Sequence, residues 1–383
     1  MKINRCMWWC SGNVLFLLLL LLCVGCKTKD RSQSDKSGAT VVMRYAEQIQ
    51  IDSCEGYWSV RVRNPWDTAK ILHTYILVEQ GRELPDNLPS GTLVRTPLRK
   101  SLIYSSVHCS LLVELDALDC IGGVCDLQYI YHPAVRTRCA EGRIVDAGNA
   151  MSPDLEKVID LHPDAVLLSP FENSGGYGRI EKLGIPIIEC ADYMETSPLG
   201  RAEWMRFFGL LFGRKQQADS LFAEVEKRYA SLKALVDTVS VRPTVLSELR
   251  NGSAWYTPGG HSTIGRLYAD AGAAYVWADD TRSGSVPLSF ETVFDRGRNA
   301  DFWLFKYNET VDKTLSSLRA EYAPYAGFLA FQTGRIFACN TGKVPFYEET
   351  PFRPDWLLKD LILVFHPECL PGETARYFKQ LHL

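Results

Sequence analysis

The stretch QQADSLFAEVEKRYASLKALV, residues 216–236, contains no Gly or Pro and carries apolar side chains at Ala218, Leu221, Phe222, Val225, Tyr229, Leu232, Leu235 and Val236. Steps of three and four place these on one face of a helix. At 1.5 Å per residue such a helix is roughly 30 Å long, about the width of a small domain. The same grammar runs on both sides of it. Before it, LIYSS, CIGGVC, RIVDAG, AVLLS and IPIIEC read as strands, with helices over HCSLLVELDAL, PDLEKVIDL, residues 177–183 and the segment from Pro198 that stops at Gly213. After it, PTVLSEL, AYVWAD, DFWLFKY and RIFACN read as strands, with helices over HSTIGRLYADAG, SFETVFDR, residues 312–321 and PDWLLKDLILVF. Alternation of this kind predicts parallel strands with crossover helices. Its repetition predicts two α/β lobes, residues 98–213 and 239–383, held by a connector over residues 214–238, in place of one domain with a long surface helix.

The N-terminus adds a targeting signal. Lys2 and Arg5 precede an apolar run over residues 14–24, which is short for a membrane span, followed by Gly25, Cys26 and the polar tract KTKDRSQSDKSG. Residues 1–25 resemble a bacterial lipoprotein signal peptide with Cys26 as the acylated residue, although Cys23 stands where an aliphatic residue is usual. Residues 26–40 read as a polar tether. Residues 41–97 change to short β-like runs broken by Pro85, Pro89 and Gly91, which predicts a small antiparallel extension.

Composition excludes some functions. The net charge is −3 and becomes −5 once Lys2 and Arg5 leave with the signal, so nothing electrostatic favours a nucleic-acid partner. Eight cysteines, Cys54, Cys109, Cys120, Cys125, Cys139, Cys190, Cys339 and Cys369, remain downstream of Cys26. Export permits them to form disulfides, and no C-x2-C pair suggests zinc.

The stretch GRIVDAGNAMSPDLEKVIDLHPDAVLLS, with Gly148, Glu156, Leu161, Pro163 and Asp164, resembles the first-lobe signature of the periplasmic binding proteins that feed ABC importers of iron–siderophores, haem and vitamin B12. SFETVFDRGRNADFWLF repeats it with Glu291 and Asp301, and SAWYTPGGHSTIGRLYADAGAAYVW is similar to the family's aromatic loop and Gly-Ser/Thr helix start. The resemblance spans roughly residues 95–383. It implies two Rossmann-like lobes joined by one rigid helix, a metal chelate as transported ligand, no cofactor and no catalytic activity. It also implies permease and ATPase partners, and attachment through lipid to a membrane on the periplasmic side of the envelope. Glu156 and Glu291 would be the permease-docking pair, one per lobe; the dipole of a helix start is a sufficient structural reason for either.

A ligand between the lobes would meet loops at the carboxyl ends of strands. In the first lobe the candidates are Tyr129, Tyr131, Phe171 and Tyr177; in the second they are Arg250, Trp255, Tyr256, Arg282, Phe346 and Tyr347. Trp255 and Tyr256 lead this set, because the TPGG that follows is expected to hold them in a loop. Flat rings suit a flat chelate, and the arginines suit its acidic groups. A directly bound metal would draw on His108, His132 or His261 with an acid such as Glu172, but no H-x3-H pair is present. An iron chelate is the leading ligand, with vitamin B12 as the alternative. From other classes, an exported hydrolase lacks a G-x-S-x-G elbow, and a lipoprotein that stores its ligand without a permease remains open.

Overall fold

The computed structural model describes residues 37–172 and 176–382; the expected signal segment, Cys26 and residues 27–36 lie outside the described residues. Strands β1 (Ser37–Val41), β2 (Ile49–Cys54), β3 (Tyr57–Arg63), β4 (Ile71–Glu79) and β5 (Thr92–Thr96) form a sheet in that order. β1 therefore begins within the residues expected to be tether. The first pairings are antiparallel, but β4 and β5 run parallel, with Tyr75 opposite Thr92 and Glu79 opposite Thr96. This corrects the wholly antiparallel extension expected, because residues 80–91 carry the chain back along β4, as a parallel pair requires. Ile49, Ile51, Val60, Val62, Tyr75, Leu77 and Val94 are buried in the same core as Phe207 and Phe208 of the first lobe.

The first lobe contains β6 (Ser101–Ile103), α1 (Ser106–Glu114), β7 (Ile121–Val124), α2 (Pro133–Ala140) and β8 (Val145–Asp146). A small hairpin of β9 (Gly148–Asn149) and β10 (Ser152–Pro153) follows, then α3 (Leu155–Leu161), β11 (Ala165–Leu168), β12 (Ile187–Glu189), α4 (Pro198–Glu203) and α5 (Met205–Leu211). Its sheet is parallel in the order β12-β11-β6-β7-β8. The helix expected over residues 177–183 is only a 3-10 turn at Ile180–Leu183, bounded by left-handed Gly178 and Gly184. Gly213, at φ +65°, ends the passage from α5 and lets the chain turn into α6 (Lys215–Val236).

The second lobe follows with β13 (Thr244–Ser247), β14 (Arg250–Asn251), β15 (Ala254–Pro258), α7 (Thr263–Asp270), β16 (Ala274–Tyr275) and β17 (Ser285–Leu288). It continues through α8 (Phe290–Gly297), β18 (Phe302–Tyr307), α9 (Leu315–Glu321), α10 (Leu329–Gln332), β19 (Ile336–Asn340), α11 (Phe346–Glu349), α12 (Pro354–Phe365) and β20 (Lys379–Gln380). The sheet order is β16-β13-β18-β19-β20, parallel except for the β20 edge, and β14-β15-β17 form a separate antiparallel sheet. An equivalent device starts each parallel sheet. Asp164 Oδ2, at the entry to β11, accepts the N–H of Arg99 and Lys100 ahead of β6 at 2.6 and 2.9 Å. Asp301 Oδ2, at the entry to β18, accepts Thr244 N of β13 at 2.8 Å. In both lobes a carboxylate thus satisfies backbone donors where neighbouring strands begin.

Helix α6 buries Ala218, Phe222, Val225, Tyr229 and Val236, while Leu235, expected on that stripe, is 42% exposed. Side chains fasten the helix along its length. Glu226 bonds Arg44 Nη2 and Tyr45 Oη, both at 2.6 Å, and Asp270 receives Tyr229 Oη at 2.7 Å and Lys233 Nζ at 2.6 Å. The extension is fixed by two buried acids. Glu203 accepts the N–H groups of Arg44, Tyr45 and Ala46 at 2.8–3.0 Å, and Glu195 accepts those of Glu47 and Gln48 together with Trp204 Nε1. Between β1 and β2 those donors have no strand partner, so the carboxylates stand in for a ladder. Glu203→Gln turns an amide N–H₂ towards them; a loss of about 1–3 kcal/mol and faster proteolysis between residues 41 and 49 are expected.

The eight cysteines of the described chain are free thiols. Burial pushes Cys125 and Cys339 up to about 12 and raises Cys109 and Cys190 as well. Titration of the chain from residue 27 onward with a disulfide reagent should leave these four unreacted in the native protein and reach all eight only after unfolding; fewer than eight in denaturant would reveal disulfides.

Candidate functional site

Parallel sheets present their ligand-facing loops at the carboxyl ends of strands. The strand-end loops of the two lobes meet along a seam. Tyr131 N, in the loop after β7, donates to Glu348 Oε1 of α11 at 2.7 Å, and Thr263 Oγ1 of α7 donates to the Glu195 carbonyl at 3.1 Å. Beside them Arg353 Nη1 lies 3.2 Å from Glu114 at the end of α1.

On the second-lobe side is a cavity of 650 Å³ whose lining includes Glu248, Arg250, Tyr256, Lys306 and Tyr347. Tyr256 and Tyr347 are 49% and 56% exposed. Glu248 follows β13 with φ +67°, a left-handed turn that is costly for a residue with a side chain and is found preferentially at functional positions. Arg250 then lies over the Tyr322 ring at 4.1 Å. Lys306, near the carboxyl end of β18, is paired with Glu248. Burial is the largest single influence and works against its charge, but Glu248 together with Tyr347 and Cys339 more than offsets it, so the ammonium pKa is raised. That pair is neutral overall, so Arg250 supplies the cavity's uncompensated positive charge.

The first lobe has a cavity of its own, 640 Å³, whose lining includes Tyr104, Glu156, Phe171 and Tyr177. Phe171 is 45% exposed, while the Tyr177 hydroxyl donates to Glu189 at 2.6 Å. Tyr129 and Tyr131, 60% and 36% exposed, line neither cavity. The expected aromatic set is thus divided between two lobe faces rather than gathered in one enclosed pocket.

Several expected residues lie elsewhere. Trp255 is fully buried, its Nε1 donating to the Ser247 carbonyl at 2.9 Å and its ring 5.6 Å from that of Trp303. The reason is the strand period. β15 pairs with β14 and β17, so Trp255 faces inward and Tyr256 outward, and the loop begins only after Pro258. Phe346 is 4% exposed and packs against Tyr377 and Phe378. The Arg282 guanidinium is engaged by Asp280 at 3.0 Å; that side-chain bond, with the Arg282 N–H, holds the Asp280 carboxyl at about 2.

The metal candidates do not converge. His108 is buried against Phe208, its Nε2 2.9 Å from Asp192 Oδ1, and Arg201 Nε reaches Asp192 Oδ2 at 3.1 Å. Burial by itself would raise the Asp192 carboxyl, but His108 and Arg201 bring it below the usual range. His132 precedes α2, and burial lowers its pKa. His261 and Glu172 are exposed on separate loops. Among the described residues no group of three or more His, Cys, Asp or Glu is placed to hold a metal ion.

Glu156 and Glu291 are exposed and hold the same place in their helices, the second residue of α3 and of α8, behind the caps Asp154 and Ser289. The backbone N–H of Glu291 and the Ser289 hydroxyl lower the Glu291 pKa. Lys306, Glu248 and Glu348 were not legible as site residues. The one signal was a lysine closing the apolar run FWLF, a charge where a buried strand ends.

Residues 127–341 match the family model described as periplasmic binding protein. An uncharacterized lipoprotein of Methanocaldococcus jannaschii is 25% identical over 301 residues, 76% of this chain and 70% of the relative. A cobalamin-binding protein of Halobacterium salinarum is 29% identical over 240 residues, 60% of each chain. Among solved structures, a periplasmic heme binding protein from Pseudomonas aeruginosa superposes with a TM-score of 0.58 at 17% identity, over 75% of this chain and 99% of that one. The family model covers more than half of the sequence, and the two-lobed α/β fold with its connecting helix agrees with it: this chain belongs to the periplasmic binding protein family.

Proposed function

We propose that this protein is the substrate-binding lipoprotein of an ABC importer, anchored to the cell envelope through Cys26. It captures a metal chelate between its lobes and delivers it to the permease. The observation that carries the chelate reading is the set of exposed tyrosines contributed by both lobes, Tyr129 and Tyr131 from the first and Tyr256 and Tyr347 from the second, with Arg250 lining the same cavity as the second pair. Aromatic faces with a nearby guanidinium suit a large, flat, acidic ligand such as haem or a ferric siderophore. A corrinoid is the second reading, supported by the cobalamin-binding relative. Glu156 and Glu291, equivalent in their helices, are the proposed contacts with permease arginines.

Titration of the purified protein with hemin, ferric siderophores and cyanocobalamin, followed by absorbance and Trp fluorescence, tests this reading. One of them should bind saturably at one site, and Tyr256→Ala with Tyr347→Ala should weaken it roughly ten- to a hundredfold without lowering thermal stability. No saturable binding together with turnover of an ester substrate would support the hydrolase instead. Glu156→Arg with Glu291→Arg should abolish uptake in cells while leaving binding intact; unaffected uptake would remove the docking role.

A further inference from the structure

We propose that Glu348 is a positioning residue that latches the two lobes together and so sets how long a ligand is held; its effect on ligand rests on the binding reading above. The carboxylate belongs to α11 of the second lobe and is 2% exposed, yet its hydrogen-bond partner is Tyr131 N of the first lobe, at 2.7 Å. Its neighbours in sequence make this position consequential. Tyr347 lines the second-lobe cavity and Tyr131 is an exposed tyrosine of the facing lobe, so the latch joins the backbone beneath two candidate ligand-contacting rings. Burial raises the Glu348 pKa, opposed by the Tyr131 N–H that it accepts.

The latch is also incompletely satisfied. Glu348 Oε2 and His132 Nδ1 are buried without hydrogen-bond partners. Buried polar atoms of this kind favour any arrangement that readmits water, so the closed seam is opposed by two groups that opening would hydrate. A ligand touching both tyrosines adds interactions only when the seam is closed, the condition for shifting such a balance. Glu348 therefore acts on the lifetime of the closed state, and its loss should speed release more than it slows capture.

Hydrogen exchange of the whole protein, read by mass spectrometry, tests the latch without any ligand. Glu348→Leu should speed exchange in the peptide containing Tyr131 about tenfold while α6 stays protected, and Glu348→Gln, which keeps an acceptor, should remain close to the parent. With hemin or cyanocobalamin as probe, the leucine variant should show faster dissociation and an unchanged association rate. Unchanged exchange at Tyr131, equal acceleration throughout α6, or a loss confined to association would each overturn the latch. Absence of binding by every probe would overturn the binding reading, and exchange would still decide the latch.

Discussion

Replacing Trp255 with alanine is expected to destabilise the second lobe by about 3–5 kcal/mol, whereas Tyr256→Ala, one residue on, should change stability by no more than about 0.5 kcal/mol. Trp255 packs against Trp303, Tyr325 and Phe328 with ring centroids 5.6–5.8 Å apart, and its indole N–H satisfies the Ser247 carbonyl at the end of β13. Truncation would leave a large cavity and an unsatisfied carbonyl in the same place. Tyr256 has its ring on the other face of β15, against the 650 Å³ cavity. Denaturant unfolding of both variants beside ligand titration separates the roles. A Trp255→Ala protein of normal stability that no longer binds ligand would return Trp255 to the site.

Arg353→Met should have an effect of similar size, about 3–5 kcal/mol, for an electrostatic reason. The guanidinium, with 6% side-chain exposure, reaches Asp355 at 3.0 Å, Glu114 of the first lobe at 3.2 Å and Glu224 of α6 at 3.3 Å, and lies 4.0 Å over the Trp356 ring. One cation thus ties both lobes to their connector. Burial raises the Glu114 carboxyl and Arg353 lowers it. Without Arg353 the folded-state pKa of Glu114 would move further above its unfolded value. The folded form would then bind more protons, so its stability would rise as pH falls. The deficit should be largest near neutrality and shrink towards pH 5 in melts across that range. A deficit independent of pH would show that packing, and not buried charge, is what the arginine supplies. Arg228, 3.3 Å from Asp355, partly replaces it and keeps the expected loss from being larger.

The architecture was legible because it rests on periodicity. Residues 216–236 show the helical stripe in sequence, and the structure runs that helix from Lys215 to Val236. The aliphatic runs before and after it became parallel strands of two sheets. Asp164 and Asp301, seen first as matching letters in two motifs, proved to do matching work at strand entries. Where a pattern was ambiguous by one residue, expectation failed. Trp255 and Tyr256 are neighbours with similar chemistry, and a turn signal after them does not say which faces the core.

The sequence by itself determined the two-lobed α/β plan, the connector and the family resemblance, because hydrophobic period and the order of turn residues are local properties of the chain. Tertiary structure alone decided which aromatic rings reach solvent, that Arg282 is committed to Asp280, and that His108 is committed to Asp192. It alone joined Tyr131 to Glu348, residues 217 positions apart, and Arg353 to Glu114, 239 apart. Contacts between lobes depend on how elements far apart in the chain pack into one continuous core, and no local pattern records the partner of a buried charge.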